Sequence, residues 1–422
     1  MKTKILSDAQ LQDVTVCSTL NGKQNVGFLF NAVYHVAMKR RIIALVDCDS
    51  FFVSCEQAQE PALKGKPVCV LSNNDGCVVS RSREAKKMGI KMGMPFFMAK
   101  KEFPDGIYLS GHHKIYKEYS KKVMECLCEF SPDVEVYSID EAFVDLTGTR
   151  KLHKKNYIEI VKDIRNTILE KTDIPVSIGI STSKTLAKLA SDKAKNTGGI
   201  FAIGTLKIKK ILAETPIEEV WGIGRNNTKT LHKKGVLLCS ELVALSDATL
   251  KSTLGINGVE LKHELLGESV LPVEADYKAP KSIQDTSAFG IFTDDFEFIK
   301  KELNKHIHVA CKKLRRHGGF CACVGVMLRT KDFHVTWDKK DLTCPTNFEL
   351  EISKTAMDLL ENLYKKGVLY RATGIYLNDL SCSKDIQATL FEELKQSEND
   401  NLAKTLDKLE AKFGENIIRT GF

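Results

Sequence analysis

Acidic side chains at the ends of apolar segments are the residues of this 422-residue chain best suited to chemistry. Asp47 and Asp49 close one strand-like apolar run, and Asp140 and Glu141 lie in a turn-like position between two alternating segments. Carboxylates clustered without a histidine or cysteine ligand set favour hard cations such as Mg²⁺, which completes its coordination with substrate phosphates. Two such ions can activate a 3′-hydroxyl and hold a departing pyrophosphate during in-line displacement. The pattern therefore predicts metal-assisted phosphoryl transfer.

The adjacency of Asp140 and Glu141 restricts this prediction. Neighbours on a regular strand point to opposite faces, so both can reach one metal site only where the chain bends or the ions lie at the strand end. Paired acids also cap strands or solvate loops, which is the alternative interpretation. Here the carboxylates lie at the ends of two separate apolar strands, which favours a metal site over strand capping or loop solvation.

The elements that must position these acids alternate between strands and helices. Apolar runs predict strands, and a 3.6-residue period predicts amphipathic helices. The predicted strands cover 41–52, 68–71, 77–79, the two sides of 139–142 within 134–146, and 176–180, and the predicted helices cover 82–88, 157–171 and 183–195. This order predicts a ferredoxin-like α+β layer into which residues 53–115 are inserted.

A second pattern begins after Gly204, where short helices continue to about Tyr277. Glycine turns at 221–224 and 254–258 have the pattern of helix-hairpin-helix motifs, in which backbone N–H groups at a helix N-terminus approach a phosphate. Ordinary turns between packed helices are the alternative. The predicted contacts to a DNA backbone are Gly222, Gly224, Arg225 and Lys229.

Charge and composition limit the class of protein. Residues 181–240 carry eleven Lys and Arg against four acidic residues, and residues 281–340 carry twelve against seven, which favours contact with a phosphate backbone at two places. Hydrophobic residues make up 43% of the chain, and no apolar run is long enough for a membrane span, so we expect a globular protein without a membrane partner. Thirteen cysteines without a CxxC pair indicate reduced thiols and a cytoplasmic location.

Several ordered motifs resemble those of the Y-family translesion DNA polymerases, and within that family the UmuC-type catalytic subunits of bacterial DNA polymerase V. The motifs are DCDSFF at 47–52, GKPVCVLSNNDGCVVSRSREAKKMGIKMG at 65–93, EVYSIDEAFVDLTG at 135–148, SKTLAKLA at 183–190, VWGIGR at 220–225 and QATLF at 387–391. The resemblance implies template-directed, error-prone DNA synthesis across lesions, in an SOS-type response to DNA damage.

The fold that this resemblance implies is a multidomain α+β right-hand polymerase with a ferredoxin-like palm, small fingers, a helix-hairpin-helix thumb and an α+β little finger. The expected ranges are a loose N-terminal extension at 1–40, the palm at 41–52 and 116–205, the fingers at 53–115, the thumb at 206–277, the little finger at 278–380 and a C-terminal segment at 381–422.

The resemblance also implies roles for individual residues. Asp47, Asp140 and Glu141 would be the catalytic, metal-holding acids, with two Mg²⁺ ions and help from the backbone carbonyl of Cys48. Phe51 and Phe52 would contact the nucleotide, with Phe52 as the steric gate that leaves no room for a 2′-hydroxyl. The other implied nucleotide contacts are Arg83, Lys86 and Lys195 on the triphosphate, and Cys77 and Val79 above the nascent base pair. Lys86 departs from the Arg common in related polymerases, and Lys lacks the bidentate grip of Arg.

Partners follow from the same resemblance. Primer-template DNA and deoxynucleoside triphosphates are the expected substrates. Gln387, Leu390 and Phe391 resemble the peptide by which bacterial polymerases bind the sliding clamp, and they lie in a polar segment beyond the last module. UmuD-like and RecA-like proteins are further expected partners, although UmuC-type chains usually continue beyond the position matching Phe422.

Two other functions use parts of the same pattern. A nucleotidyl cyclase has a similar sheet and metal-binding acids, but the basic helical segment and the clamp peptide would have no purpose in it. A non-catalytic DNA- and clamp-binding inhibitor of other polymerases would need the basic segment and the peptide, but not the acids.

Overall fold

A computed structural model of the chain describes residues 41–72, 76–276 and 279–382, with a few helical positions between 402 and 413. The chain divides into two compact units, with the boundary after Asp276. The extension at 1–40 and the peptide residues Gln387, Leu390 and Phe391 lie outside the described residues. Among the helices that are described, none is long and apolar enough to cross a membrane.

The first unit is built on a five-stranded sheet in the order β5-β6-β1-β7-β8, and a three-stranded sheet in the order β3-β2-β4. Strand β1 pairs antiparallel with β6 and β7, whereas β7 pairs parallel with β8. The strands are β1 (Ile43–Cys48), β2 (Val68–Leu71), β3 (Val78–Arg81), β4 (Ile107–Ser110), β5 (Val134–Val136), β6 (Glu141–Asp145), β7 (Val176–Ser181) and β8 (Ile200–Ala202).

Twelve α-helices of the first unit lie in the described residues. They are α1 (Phe51–Gln59), α2 (Arg83–Lys87), α3 (Phe96–Glu102), α4 (His113–Cys128), α5 (Thr149–His153), α6 (Tyr157–Thr172), α7 (Lys184–Ala194), α8 (Thr205–Glu214), α9 (Arg225–Lys233), α10 (Cys239–Ala244), α11 (Asp247–Leu254) and α12 (Ile256–Leu265).

Strand β1 is buried on both faces, as its continuous apolar sequence requires. Ala44 and Val46 point to one face, where they share a core with the apolar residues of α4 and α6. Ile43 and Leu45 point to the other face, where they pack with Ala187 of α7. Because side chains alternate along a strand, Asp47 projects on the same face as Ile43 and Leu45. The Asp47 side chain therefore points towards α7.

Two side chains cap the N-terminus of helix α7. The Ser183 side chain accepts a hydrogen bond from Leu186 N–H, and the fully buried Glu264 of α12 accepts one from Thr185 N–H at 2.9 Å. The same Glu264 carboxylate also accepts from the N–H groups of Val270 and Leu271, at 2.8 and 3.0 Å. One buried carboxylate thus ties the start of α7 to the segment that follows α12.

The second unit is a four-stranded antiparallel sheet in the order β11-β10-β12-β9, with two helices packed on one face. Its elements are β9 (Ile283–Thr293), α13 (Phe296–Arg316), β10 (Gly319–Thr330), β11 (Val335–Thr346), α14 (Glu349–Leu363) and β12 (Tyr370–Cys382). The helices cover the apolar side chains of the sheet, among them Val326 and Ile375, which are register partners.

The predicted elements around the acids are confirmed, apart from the end of the first strand. The strand predicted for 41–52 stops at Cys48, and residues 51–59 form α1 instead. Ser50 adopts a left-handed conformation (φ 46°), which turns the chain out of the sheet. An apolar run cannot reveal this change, because Phe51 and Phe52 suit a strand and a buried helix equally well.

Gly179 of β7 sets the distance between the sheet and α7. A Cβ at this position would lie 2.1 Å from Ser191 N and 2.2 Å from Ala187 O, both backbone atoms of α7. We expect Gly179→Ala to lower the free energy of unfolding by about 3 kcal/mol, because backbone atoms cannot rotate away. Gly204→Ala is the matched control, since an added Cβ there meets no atom within 4 Å. Urea denaturation measures both variants, and equal midpoints would contradict this packing.

Candidate active site

Asp47 and Glu141 are brought together by strand register. They are direct partners across the antiparallel β1–β6 pair, so their side chains project on the same face. Asp47 is buried, and Glu141 is half-buried. The charge of Glu141 contributes to the raised pKa of Asp47, as expected for two carboxyl groups that lie close together.

Asp140 reaches the same strand ends through a tight turn. The turn is closed by hydrogen bonds from the N–H groups of Tyr137 and Ser138 to the carbonyl of Glu141, both at 3.0 Å. The Asp140 carbonyl accepts from Cys48 N–H at 2.9 Å, while its carboxylate accepts from the Ser138 hydroxyl. Asp140 therefore lies in the turn before β6, outside the regular strand, and Ser138 holds its carboxylate.

Lys188 of α7 and Lys195, the C-cap residue of α7, neutralise the charge of the acidic pair. Lys195 Nζ lies 2.8 Å from Asp47 Oδ2, and Lys188 forms an ion pair with Glu141. Lys188 and Lys195 are seven residues apart, which is two helical turns and places them on one face. The sequence analysis predicts Lys195 as a site residue but not Lys188. The seven-residue spacing of the two lysines in a predicted helix is a signal that could identify Lys188.

Burial and neighbouring charge shift the acidities of this group. Burial raises the pKa of Asp47 to about 7 against the opposing charge of Lys195, and the nearby Glu141 adds to the rise. Burial would raise the pKa of Glu141 as well, but the contacts of its carboxyl group with Asp47 and Lys188 outweigh burial, and the pKa falls below its usual range. Burial and the charges of Asp140 and Asp47 raise the pKa of the Cys48 thiol far above its usual value. Cys48 is therefore a neutral thiol, which leaves only its backbone carbonyl as an oxygen donor.

Asp49 and Arg83 form a second contact at the end of β1. Asp49 accepts a hydrogen bond from Ser177 at 2.8 Å and forms an ion pair with Arg83 at 3.3 Å. The Arg83 side chain is 77% exposed, so most of its guanidinium is available to a ligand. Lys86, one turn later on α2, is exposed and forms no ion pair within the described part of the chain. Arg83 thus joins the acidic region, whereas Lys86 does not contact it.

Phe52 is held by an aromatic contact that the sequence did not reveal. Its ring stacks on that of the fully buried Tyr116 of α4, with centroids 4.6 Å apart and planes 22° apart. The Tyr116 hydroxyl donates to the buried Glu56, which also bonds His112 at 2.8 Å. Phe51 lies in the core of the first unit, 3% exposed, so the structure places it away from any ligand surface.

The other predicted residues lie outside the acidic group. Cys77 forms an isolated bridge with Pro95, and Val79 belongs to β3; both are half-buried. Gly222 has a positive φ of 93°, and Gly224 precedes the first residue of α9. The predicted DNA contacts Gly222, Gly224, Arg225 and Lys229 are all exposed. Their turn is tied to the acidic turn, because Trp221 Nε1–H donates to the Tyr137 hydroxyl at 2.9 Å.

The donor set suits a hard cation. Asp47 and Glu141 offer neighbouring carboxylates, and a bound cation would reduce the repulsion between them. Asp140, the residue before Glu141, supplies a third carboxylate. Their three carboxylates do not all lie within 4.8 Å of one another; among the described residues only Cys323, Asp341 and Asp379 of the second unit do. That second group is partly exposed and has no other feature that indicates a ligand.

Comparison with known proteins identifies the family. Residues 46–192 match the impB/mucB/samB family, and residues 280–390 match the C-terminal domain of that family. The chain is 33% identical over 391 residues to Protein UmuC of Salmonella typhimurium, covering 89% of this chain and 92% of that protein. It is 33% identical over 387 residues to DNA polymerase IV of Dehalococcoides mccartyi strain CBDB1, covering 91% and 98%.

Solved structures agree with the sequence comparison. A Y-family DNA polymerase chimera of Dbh and Dpo4 matches with a TM-score of 0.71 at 28% identity, covering 81% of this chain and 100% of that one. An insertion ternary complex of Dbh DNA polymerase matches with a TM-score of 0.58 at 27% identity over the same shares. The predicted right-hand polymerase fold is thereby confirmed. The chain belongs to the impB/mucB/samB family of Y-family DNA polymerases.

Proposed function

We propose that Asp47, Asp140 and Glu141 form the catalytic centre of a DNA-directed DNA polymerase that performs error-prone translesion synthesis by two-metal nucleotidyl transfer. The observation that carries this assignment is the cross-strand pair of the buried Asp47 and the half-buried Glu141, whose carboxylates form ion pairs with Lys195 and Lys188. Membership of the family supports the class of reaction, and this pair of acids supports the position of the catalytic centre in the fold.

Asp47, Asp140, Glu141 and the Cys48 carbonyl would hold two Mg²⁺ ions. When bound, such ions activate the 3′-hydroxyl and neutralise the departing pyrophosphate. The protein itself holds the carboxylates of Asp47 and Glu141 next to each other. Without bound ions, Lys195 and Lys188 neutralise their charge. Ser138 supports the acidic turn through its hydrogen bond to Asp140.

The triphosphate would be bound by cations that already lie at this end of the sheet. Lys195 can exchange its contact with Asp47 for a phosphate oxygen, and the exposed Arg83 offers a planar guanidinium for bidentate contact. Lys86 would add a single point charge from the same face of α2. Phe52 would pack beneath the sugar, and Cys77 with Val79 would cover the nascent base pair.

Primer-template DNA would be gripped through its backbone. The exposed Gly222, Gly224, Arg225 and Lys229 present main-chain N–H groups and positive charge at the start of α9. Such contacts carry no sequence information and weaken as salt rises. One structural relative is an insertion ternary complex of Dbh DNA polymerase, which supports DNA and nucleotide as the substrates of this chain.

The domain ranges remain our assignment: palm 41–52 and 116–205, fingers 53–115, thumb 206–277 and little finger 278–380. The five-stranded sheet, the three-stranded sheet and the short helices of the first unit support the first three ranges. The boundary after Asp276 supports the fourth.

The sliding clamp is a further proposed partner, bound by Gln387, Leu390 and Phe391. The spacing of these residues and their place in a polar segment support it. Clamp binding would raise the residence time on DNA through effective concentration. UmuD-like and RecA-like partners and a cytoplasmic location remain predictions from the sequence.

Primer extension with Mg²⁺ tests the catalytic assignment. We expect Asp47→Asn and Glu141→Gln each to slow extension at least about a thousandfold, or about 4 kcal/mol in the barrier, because a neutral amide cannot replace a metal-binding carboxylate. DNA binding, measured by fluorescence anisotropy, should persist. Asp163→Asn is the matched control, since this half-buried acid forms an ion pair with Lys155 and belongs to none of the proposed sites. Extension at the wild-type rate by Asp47→Asn would refute the assignment. Nucleotide turnover without a primer would indicate a cyclase. If the parent chain does not extend a primer, the protein would be an inhibitor of other polymerases.

Ribonucleotide incorporation tests the gate. We expect Phe52→Ala to reduce discrimination between deoxynucleotides and ribonucleotides at least about tenfold in kcat/KM, because removing the ring opens space beside the 2′-carbon. Phe97→Ala, at a 72% exposed ring, is the control and should keep the parental ratio. An unchanged ratio in Phe52→Ala would assign the gate to another residue.

Clamp-dependent synthesis tests the peptide. We expect the double substitution Leu390→Ala and Phe391→Ala to abolish stimulation by a loaded bacterial sliding clamp, because both side chains fill its apolar pocket, and to leave clamp-free extension unchanged. The control pair is Leu402→Ala with Leu409→Ala, at exposed leucines in the same C-terminal region. Full stimulation of the first double variant would exclude this peptide as the contact.

A further inference from the structure

A cavity of about 310 Å³ lies in the first unit, where the glycine turn before α9 meets the helices α11 and α12. We call this space the hairpin cavity. Its volume is at the lower end of the range for sites that bind small molecules. The residues that line it include Thr185, Trp221, Gly222, Asn257, Glu260 and Leu261. Apart from Gly222, these six residues have no part in the functions proposed above.

Thr185 brings a hydroxyl group without a partner to this cavity. The residue is 2% exposed, and its Oγ1 atom forms no hydrogen bond with the described part of the chain. The Thr185 backbone is fixed, because its N–H donates to the buried Glu264 carboxylate at 2.9 Å. A buried hydroxyl without a partner destabilises the folded state, so a ligand that supplies a hydrogen bond here would be favoured.

Glu260 supplies a negative charge to the same cavity. It is half-buried, and it forms no ion pair with any residue in the described ranges 41–72, 76–276 and 279–382. The nearby Lys262 is engaged elsewhere, since its Nζ lies 2.8 Å from Asp247 Oδ1 and 2.9 Å from the Leu245 carbonyl oxygen. The other residues that line the cavity are all uncharged. A half-buried carboxylate without a positive partner favours a cationic ligand.

Trp221 gives the cavity an aromatic wall. Its indole N–H donates to the Tyr137 hydroxyl at 2.9 Å, and its ring centroid lies 5.7 Å from that of Phe143, so the ring is held in place. Leu261 adds an aliphatic surface. A cation beside an aromatic face is attracted by the ring quadrupole. Mg²⁺ and Ca²⁺ require several oxygen ligands, so one carboxylate with apolar walls suits an organic cation better than a metal ion.

We propose that the hairpin cavity binds a small organic cation with a planar apolar body. The charged group would pair with Glu260 and donate an N–H to Thr185 Oγ1, while the body would pack against Trp221 and Leu261. The side-chain carbonyl of Asn257 offers a further acceptor. The ligand would contact both glycine turns and the start of α7, so its binding would stabilise the folded first unit. Binding requires neither DNA nor Mg²⁺, so the site is independent of the proposed polymerase function.

Three probes that share one ring but differ in charge test this proposal: benzamidine, benzamide and benzoate. In the Trp337→Phe variant of the full chain, Trp221 is the only tryptophan, so its emission reports on the cavity. We expect benzamidine to change this emission saturably and to bind at least about tenfold more tightly than benzamide. Benzoate should not bind, because Glu260 repels it. Benzamidine should also raise the urea midpoint of the parent chain.

Two variants separate the contacts of the probe. Glu260→Gln should weaken benzamidine at least about tenfold and leave benzamide unchanged, because only the charge is lost. Thr185→Val keeps the shape of the side chain and removes the hydroxyl, so it should weaken both probes about fivefold. Its urea midpoint should not fall, since the hydroxyl that it removes has no partner. Glu214→Gln, at an exposed acid of α8 outside the cavity, is the control and should bind all probes as the parent does.

The absence of a saturable response to benzamidine would overturn the proposal. Equal affinities for the three probes would also overturn it, because the cavity would then not select a cation. Unchanged benzamidine binding by Glu260→Gln would exclude the proposed ion pair. All of these measurements are made without DNA, so failure of primer extension would refute the proposed function and leave this site standing.

Discussion

Two carboxyl groups at paired strand ends, one buried and one half-buried, impose the main electrostatic constraint on this polymerase. Asp47 and Glu141 face each other across adjacent strands, and their mutual repulsion and lost hydration would be costly without nearby positive charge. Lys188 and Lys195 supply that charge from a single helix face. The position of α7 on the sheet is therefore an electrostatic requirement as well as a packing one.

In the proposed reaction these ion pairs would be exchanged. The lysines satisfy the acids in the free chain, and they would move to phosphates when charged ligands enter. The net charge of the centre would then stay similar, because incoming cations and phosphates replace one set of ion pairs with another. This exchange depends on the distances between β1, β6 and α7.

Much of this arrangement could be predicted from sequence, because the acids end strands whose apolar patterns are local signals. The strand at 176–180 and the helix at 183–195 were predicted within one or two residues of β7 and α7. The partners of Lys188 and Asp140 could not be predicted, because they depend on strand register and on a Ser138 hydroxyl bond. The stack of Phe52 on Tyr116 joins residues 64 positions apart in a contact that no local pattern encodes.

The Glu264 carboxylate has a mechanical consequence. It closes the first turn of α7 and also holds the chain that leaves α12, and it is fully buried. Any movement of α12 away from α7 would break these bonds and leave buried carboxyl and N–H groups without partners. Leu186 of α7, Leu231 of α9 and Leu265 of α12 share one core, so we expect the helices proposed to grip the duplex to move together with the helix that carries Lys188.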